Sequence, residues 1–238
     1  MQVCISVWRS GLKVTRFRPL DSTETAPPHS PSALRALRIN DPAPDFIART
    51  TQGEKRLSDY RGRWLVLFSH PADFTPVCTS EFIALARRAD AFEALGCDLM
   101  ALSVDSLYSH LAWLKDIYRR FGVKVAFPII EDPSMAIGHA FGMVDAGSSD
   151  SATVRASFVI DPTGIVRAIS WYPMNIGRSV DELLRLVTAL QTADREQAST
   201  PAGWSPGEPL LEPAATTLDA ALADGDGDAP WYYRERRA

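Results

Sequence analysis

From about Asp41 onward the chain alternates short, unbroken apolar runs with longer stretches in which apolar residues return every three or four positions. Trp64–Phe68 is nearly continuous and has no helical period, as a strand buried on both faces should look. Phe82, Leu85, Ala86, Ala89, Phe92 and Leu95 then recur at helical spacing and predict one helix over 79–95. Leu99–Val104 predicts a second central strand, ended by Asp105. Ser106 caps a further helix whose apolar stripe includes Leu107, Leu111, Leu114, Ile117 and Phe121. Two strands joined through a helix of this length form a βαβ unit with parallel strands. Pro44–Ala48 and Glu54–Leu57 read as short edge strands around the Thr51-Gln52-Gly53 turn, and Phe127–Ile130 as a brief strand. Asp132-Pro133-Ser134 opens a helix through Ala136, Ile137 and Phe141.

Arg155–Ile160 and Ile165–Trp171 flank Asp161-Pro162-Thr163-Gly164, a strong turn signal, and predict an antiparallel hairpin. A last helix over 179–192 carries Val180, Leu183, Leu184, Val187 and Leu190 on one face. A parallel βαβ unit followed by hairpin and helix is the order of the thioredoxin fold. The expectation is an α/β protein with a central mixed sheet flanked by helices, spanning residues 37–198.

The two ends differ in composition. Residues 1–36 begin basic and acid-poor and continue rich in Ser, Thr and Pro, as a disordered extension does. They suit either a targeting segment or an over-long gene start. Residues 199–238 contain proline-rich stretches that cannot continue a helix, yet carry Trp204, Leu210, Leu211, Trp231, Tyr232 and Tyr233. An extended C-terminal arm that packs on a second subunit is expected, with an arm folded on its own subunit as the alternative.

A net charge of −4 gives no reason to expect nucleic acid or an acidic membrane surface as a partner, and no apolar run of about eighteen residues occurs. Three widely spaced cysteines make neither a disulfide framework nor a zinc site, so no metal or cofactor is expected and a reducing, cytoplasmic setting is the default.

One stretch carries chemistry. Ser69-His70-Pro71-Ala72-Asp73-Phe74-Thr75-Pro76-Val77-Cys78-Thr79-Ser80-Glu81 joins the first central strand to the helix after it. Cys78 falls in or just before the first helical turn, where unpaired N–H groups and the positive end of the helix dipole favour thiolate over thiol. Pro71 and Pro76 restrict the loop, and Thr75 offers a hydroxyl three residues before the sulfur. Taken alone, a cysteine at a helix start also reads as a buried structural residue.

The pattern Pro71-x-x-x-Thr75-x-x-Cys78 resembles the active-site motif of the peroxiredoxins. The longer string from Phe68 to Glu81 is similar to the one-cysteine, peroxiredoxin 6-like branch and to the archaeal thioredoxin peroxidases. The resemblance covers about residues 37–233. It implies a thiol-dependent peroxidase that reduces hydrogen peroxide and organic hydroperoxides, with Cys78 attacking the peroxide and becoming a sulfenic acid. It further implies that Thr75 and Arg155 bind the substrate, that Pro71 shields the sulfur, and that the chain forms a homodimer, possibly a higher oligomer of dimers. Arg155 on its own would read as a solvated arginine at a strand start; the family pattern places it beside the cysteine. His70, Glu81, taken to lie in the helix's first turn, and Arg178 are supporting candidates, the glutamate as an orienting partner for an arginine.

The chain also departs from its relatives. Asp228–Arg234 holds no cysteine where the archaeal enzymes carry further ones, so the expected reductant is external, a small thiol or a thioredoxin-like protein. Cys97 reads as a core residue, while Cys4 on the extension has reach without specificity. Tyr60-Arg61-Gly62-Arg63-Trp64 replaces the serine motif linked to phospholipase activity in peroxiredoxin 6, and that activity is not carried over. The competing classes are a redox sensor or holdase assembly using the same cysteine, and a thiol–disulfide oxidoreductase. The latter is disfavoured because Cys78 has no cysteine three residues away.

Overall fold

The computed structural model describes residues 37–144, 153–223 and 230–237. The extension expected over residues 1–36, with Cys4, lies outside the described residues.

The Trp64–Phe68 run becomes β3 of a seven-stranded sheet. In chain order the strands are β1 (Ile47–Thr50), β2 (Gly53–Arg56), β3 (Trp64–Ser69), β4 (Cys97–Ser103), β5 (Ile129–Glu131), β6 (Arg155–Ile160) and β7 (Val166–Tyr172). They lie side by side as β2-β1-β5-β4-β3-β6-β7. β3 pairs parallel with β4 and β4 parallel with β5, whereas β1/β2, β1/β5, β3/β6 and β6/β7 are antiparallel. This is the thioredoxin-like mixed sheet expected from the pattern. Because strand side chains alternate faces, Trp64, Val66 and Phe68 enter one core while Leu65 and Leu67 enter another. Cys97, Leu99 and Ala101 of β4 divide from Met100 and Leu102 in the same way.

The helices are α1 (Pro76–Arg87), α2 (Ala89–Ala94), α3 (Leu107–Phe121), α4 (Ala136–Ala140) and α5 (Val180–Glu196). The single helix expected over 79–95 is two, broken at Arg88, whose N–H turns back to Ala86 and Leu85 carbonyls. The break preserves the apolar spacing, so Phe92 still reaches full burial and the sequence period does not reveal it. α3 begins on the Ser106 cap as expected, its hydroxyl accepting from Ser109 N–H. Its buried face matches the expected stripe only in part: Ile117 is buried and Leu114 packs on the core, but His110 and Trp113 also point inward, while Leu111 and Phe121 are 44% and 50% exposed. A histidine takes a core position because a carboxylate waits there, as described below.

Beyond α5 the chain folds back on itself. Ser199 and Leu211 exchange backbone hydrogen bonds, and β8 (Leu210–Leu211) pairs antiparallel with β9 (Glu235–Arg236); a short helix, α6 (Leu218–Ala223), lies between them. Trp204, 1% exposed, is buried with Leu210 and Ala189 of α5, and its indole N–H donates to the Glu208 carbonyl at 3.1 Å. The first half of the arm therefore packs on its own chain, which is the alternative reading of this stretch. Pro201 and the turn at Gly203 bring the indole back over α5, where burying it removes a large apolar surface from water. Trp231, Tyr232 and Tyr233 remain 44%, 65% and 47% exposed.

Candidate active site

β3 ends at Ser69 and α1 starts at Pro76, so the motif loop lies at the C-terminal edge of a central strand. Thr75 is the N-cap residue and Pro76 stands in the first helical turn, where its missing N–H costs nothing. Cys78 sits in that turn, wholly buried, with Pro71 also buried beside the loop.

Arg155, at the start of β6, is 2% exposed and comes to Cys78 across the sheet: β6 pairs with β3, and its first residue lies level with the loop that follows β3. Its Nη1 donates to Cys78 Sγ at 3.3 Å and to Glu81 Oε2 at 2.8 Å. Nε and Nη2 donate to the Met174 carbonyl at 2.9 and 2.7 Å, so the planar fork is held from both sides.

Glu81, one turn after Cys78 and hence beyond the first turn expected for it, is the hub of this arrangement. It accepts from Arg178 N–H, Nε and Nη2 at 2.8, 2.9 and 2.8 Å, in addition to Arg155. Burial alone would raise its carboxyl, but the Arg178 bonds and the nearby Arg155 charge outweigh that and hold it below its ordinary value. Arg178 also donates to the Ala156 carbonyl and Ser157 hydroxyl and lies over the Phe68 ring. Two buried guanidiniums thus share one buried carboxylate, leaving a net positive charge beside the sulfur.

The Thr75 hydroxyl donates to the Ala72 carbonyl at 2.8 Å rather than to the sulfur, leaving its oxygen lone pairs as acceptors. His70 is also buried, but its ring engages a side chain: Nε2 donates to Asp73 Oδ1 at 2.9 Å. Asp73 Oδ2 accepts from His110 Nδ1 of α3 at 2.8 Å, and the ligand-capable atoms of His70, Asp73 and His110 all lie within 4.8 Å of one another. Each carboxylate oxygen there already serves one imidazole. Sequence reasoning missed Asp73, His110 and the Met174 carbonyl. The signal for His110 was its spacing with Trp113 and Ile117; a backbone carbonyl leaves no signal at all.

Cys97 stands apart from this site. It opens β4 opposite Trp64, while Cys78 follows the other end of β3, and burial pushes its thiol up to about 12. It lines a cavity of 550 Å³ with Tyr60, Arg63 and Asp98.

The chain matches two family models: the AhpC/TSA family over residues 39–169 and the C-terminal domain of 1-Cys peroxiredoxin over residues 189–224. It is 47% identical over 194 residues to Peroxiredoxin 2 of Thermoplasma acidophilum, an alignment covering 81% of this chain and 96% of that one. Among solved structures, yeast mitochondrial 1-Cys peroxiredoxin superposes with a TM-score of 0.76 at 39% identity, covering 85% of this chain and all of the other. Peroxiredoxin 6 of Arenicola marina gives 0.72 at 32% identity, covering 79% and 89%. The chain belongs to the one-cysteine branch of the peroxiredoxin family, the thiol-dependent peroxidases.

Proposed function

We propose that the chain reduces hydrogen peroxide and organic hydroperoxides at Cys78, through a cysteine sulfenic acid, and that an external thiol completes the cycle. The observation that carries this reading is the Arg155 guanidinium 3.3 Å from a fully buried sulfur in the first turn of a helix. The Cys78 thiolate attacks the terminal oxygen of ROOH. The S–O bond forms as the O–O bond breaks, and the electron pair leaves on RO⁻, which takes up a proton and departs as alcohol or water. Negative charge moves from sulfur to the leaving oxygen, so a cation fixed beside both lowers the barrier most when its geometry is set in advance.

Thr75, its own hydrogen committed to Ala72, has lone pairs with which to accept the peroxide O–H. Pro71 brings no N–H donor to the sulfur and excludes bulk from the sulfenate. Glu81 and Arg178 orient Arg155, and His70 supports the loop from behind. A first external thiol displaces water from the sulfenic acid as a mixed disulfide; a second releases Cys78 and leaves as the external disulfide. Cys97, at the far end of β4, is unsuited to that role. The yeast relative's structure is described in terms of the glutathione and thioredoxin systems, and a small thiol or thioredoxin-like protein would serve here. The free thiols of Cys78 and Cys97 suit a reducing compartment such as the cytoplasm. Residues 37–198 would be the peroxidase domain. The exposed Trp231, Tyr232 and Tyr233 of the arm would be its contribution to a homodimer.

Cys78→Ser should abolish thiol-dependent peroxide consumption, and a dimedone adduct should map to Cys78 in the peroxide-treated protein. Full turnover by the serine variant would overturn the assignment. A Cys78–Cys97 disulfide as the main oxidised product would overturn the external-thiol step alone.

A further inference from the structure

We propose that Thr79 and Trp113 are positioning residues for the peroxide reaction. Through a directed pair of hydrogen bonds running from α3 to α1 to the motif loop, they fix the main chain of Thr75 and so aim its hydroxyl at the arriving peroxide. The inference rests on the peroxidase reading of Cys78 and Thr75 and deepens it, because these residues are separate from the Arg155, Glu81 and Arg178 group that holds the other side of the sulfur.

Thr75 stands at the N-cap of α1 with an extended backbone, φ −98° and ψ 151°. A threonine there ordinarily accepts an N–H of the first turn with its hydroxyl and locks the helix start by doing so. No such bond forms here, because the hydroxyl donates to the Ala72 carbonyl at 2.8 Å. The residue that must offer lone pairs to the substrate has thus given up the bond that would fix it to its own helix.

Its carbonyl is held instead. The Thr75 oxygen accepts twice from Thr79, from the N–H at 2.9 Å and from the hydroxyl at 2.7 Å. A threonine bonding back four residues is ordinary in a helix and by itself implies no role. This one has a further partner: Trp113 Nε1 of α3 donates to Thr79 Oγ1 at 3.2 Å. An indole N–H only donates and a carbonyl only accepts, so the direction is fixed. The Thr79 oxygen takes the indole hydrogen and sends its own hydrogen to Thr75. A hydroxyl engaged on both its acceptor and its donor side is kept from rotating away from the carbonyl it grips.

Trp113 can act as the anchor because it is 1% exposed and packed against α1 and the loop together, its ring centroid 4.6 Å from that of Phe82 and 6.5 Å from that of Phe74. A buried indole N–H requires an acceptor, and here the acceptor is the hydroxyl that grips the substrate-binding threonine. Thr75 is thereby tied at both ends, carbonyl to Thr79 and hydroxyl to Ala72, which leaves its remaining lone pairs a set direction. Misplacing such a group by about 1 Å costs on the order of 10²-fold in rate, so loosening its support should cost about tenfold.

The test is made on the full chain in its reduced form, with Cys78 oxidation by hydrogen peroxide read by rapid quench and mass spectrometry. Thr79→Val keeps the branched shape without the hydroxyl and should slow oxidation by about tenfold, whereas Thr79→Ser, which restores the hydroxyl, should stay within about threefold of native. Trp113→Phe keeps a ring without the N–H and should slow oxidation to a similar extent. The double substitution of valine and phenylalanine should be no slower than the slower single one, because both break the same chain of bonds. The pH dependence of Cys78 alkylation by iodoacetamide should be native in every variant, since Arg155 and the sulfur are untouched; a general loosening of the fold would move it as well. The proposal is overturned by a Thr79→Val rate within about twofold of native, by Thr79→Ser as slow as Thr79→Val, by single effects that multiply, or by an alkylation profile that moves with the oxidation rate. If Trp113→Phe does not fold, the comparison of valine with serine at position 79 decides alone. Peroxide turnover that survives Cys78→Ser would sink the peroxidase reading instead, whereas a native Thr79→Val rate with turnover still dependent on Cys78 sinks only the role given to Thr79 and Trp113.

Discussion

Glu81→Gln isolates the charge that holds two arginines while preserving the shape of the side chain. The native carboxylate accepts one hydrogen bond from Arg155 and three from Arg178, and all three residues are buried. Glutamine can accept at one oxygen only, and its amide NH₂ points at guanidinium N–H groups that are themselves donors. Removing one partner from a buried ionic cluster costs about 3–5 kcal/mol, because the remaining charges stay out of water without compensation. A domain of ordinary stability, about 5–15 kcal/mol, would survive the loss with little margin. With a urea slope of about 2 kcal/mol/M, the unfolding midpoint should fall by about 1.5–2.5 M. The same substitution frees one side of the Arg155 fork, so the second-order rate of Cys78 oxidation, followed by stopped-flow tryptophan fluorescence, should drop by about 10- to 100-fold. A midpoint within about 0.3 M of native together with an unchanged rate would refute the reasoning, since neither the burial cost nor the orienting role could then be real.

Arg155→Lys keeps the charge but loses the planar fork shared among Cys78, Glu81 and Met174; peroxide oxidation should slow by about 10²–10³-fold in stopped-flow measurements, with far-UV circular dichroism unchanged. Acid should destabilise the protein in two stages. His70 and Asp73 both have folded values below their ordinary ones, so the unfolded chain binds more protons and stability present at neutral pH is lost as pH falls. The His70 share goes from about 6.5 downward and the Asp73 share, on the order of 2 kcal/mol, between about 4 and 2. Urea titrations at fixed pH values check this, and stability that rises on acidification below pH 6 would contradict it. Cys97, its thiol pushed up to about 12, should stay unmodified by iodoacetamide in the native protein at pH 8 while Cys78 is labelled, as read by peptide mass spectrometry. Trp204→Ala should cost about 3–5 kcal/mol in urea unfolding if the indole packs on its own α5, as its 1% exposure indicates.

Much of this molecule is legible along the chain. The unbroken run Trp64–Phe68 foretells a strand that feeds two cores, and the turn Asp161–Gly164 foretells the β6–β7 hairpin. Ser106 proves to be the cap of α3, as expected, and Ser179, expected as the first residue of the last helix, is the cap of α5. These readings succeed because period, cap and turn act over a few residues, and each side chain's preference is expressed in its own element. The break at Arg88 and the inward turn of His110 escape for the complementary reason: helical spacing states which residues share a face but not which face a distant partner will claim.

By itself, then, the amino-acid order determined the alternation of strands and helices and set Cys78 at a helix start, the one place where backbone N–H groups turn toward a sulfur. Only the tertiary structure decided what stands beside that sulfur. Arg155 arrives from 77 residues away because β6 pairs with β3, and Glu81 binds Arg178 across 97 residues of chain. The Met174 carbonyl that steadies Arg155 is a group every residue possesses, so its identity carried no information until the loop after β7 had been folded into place.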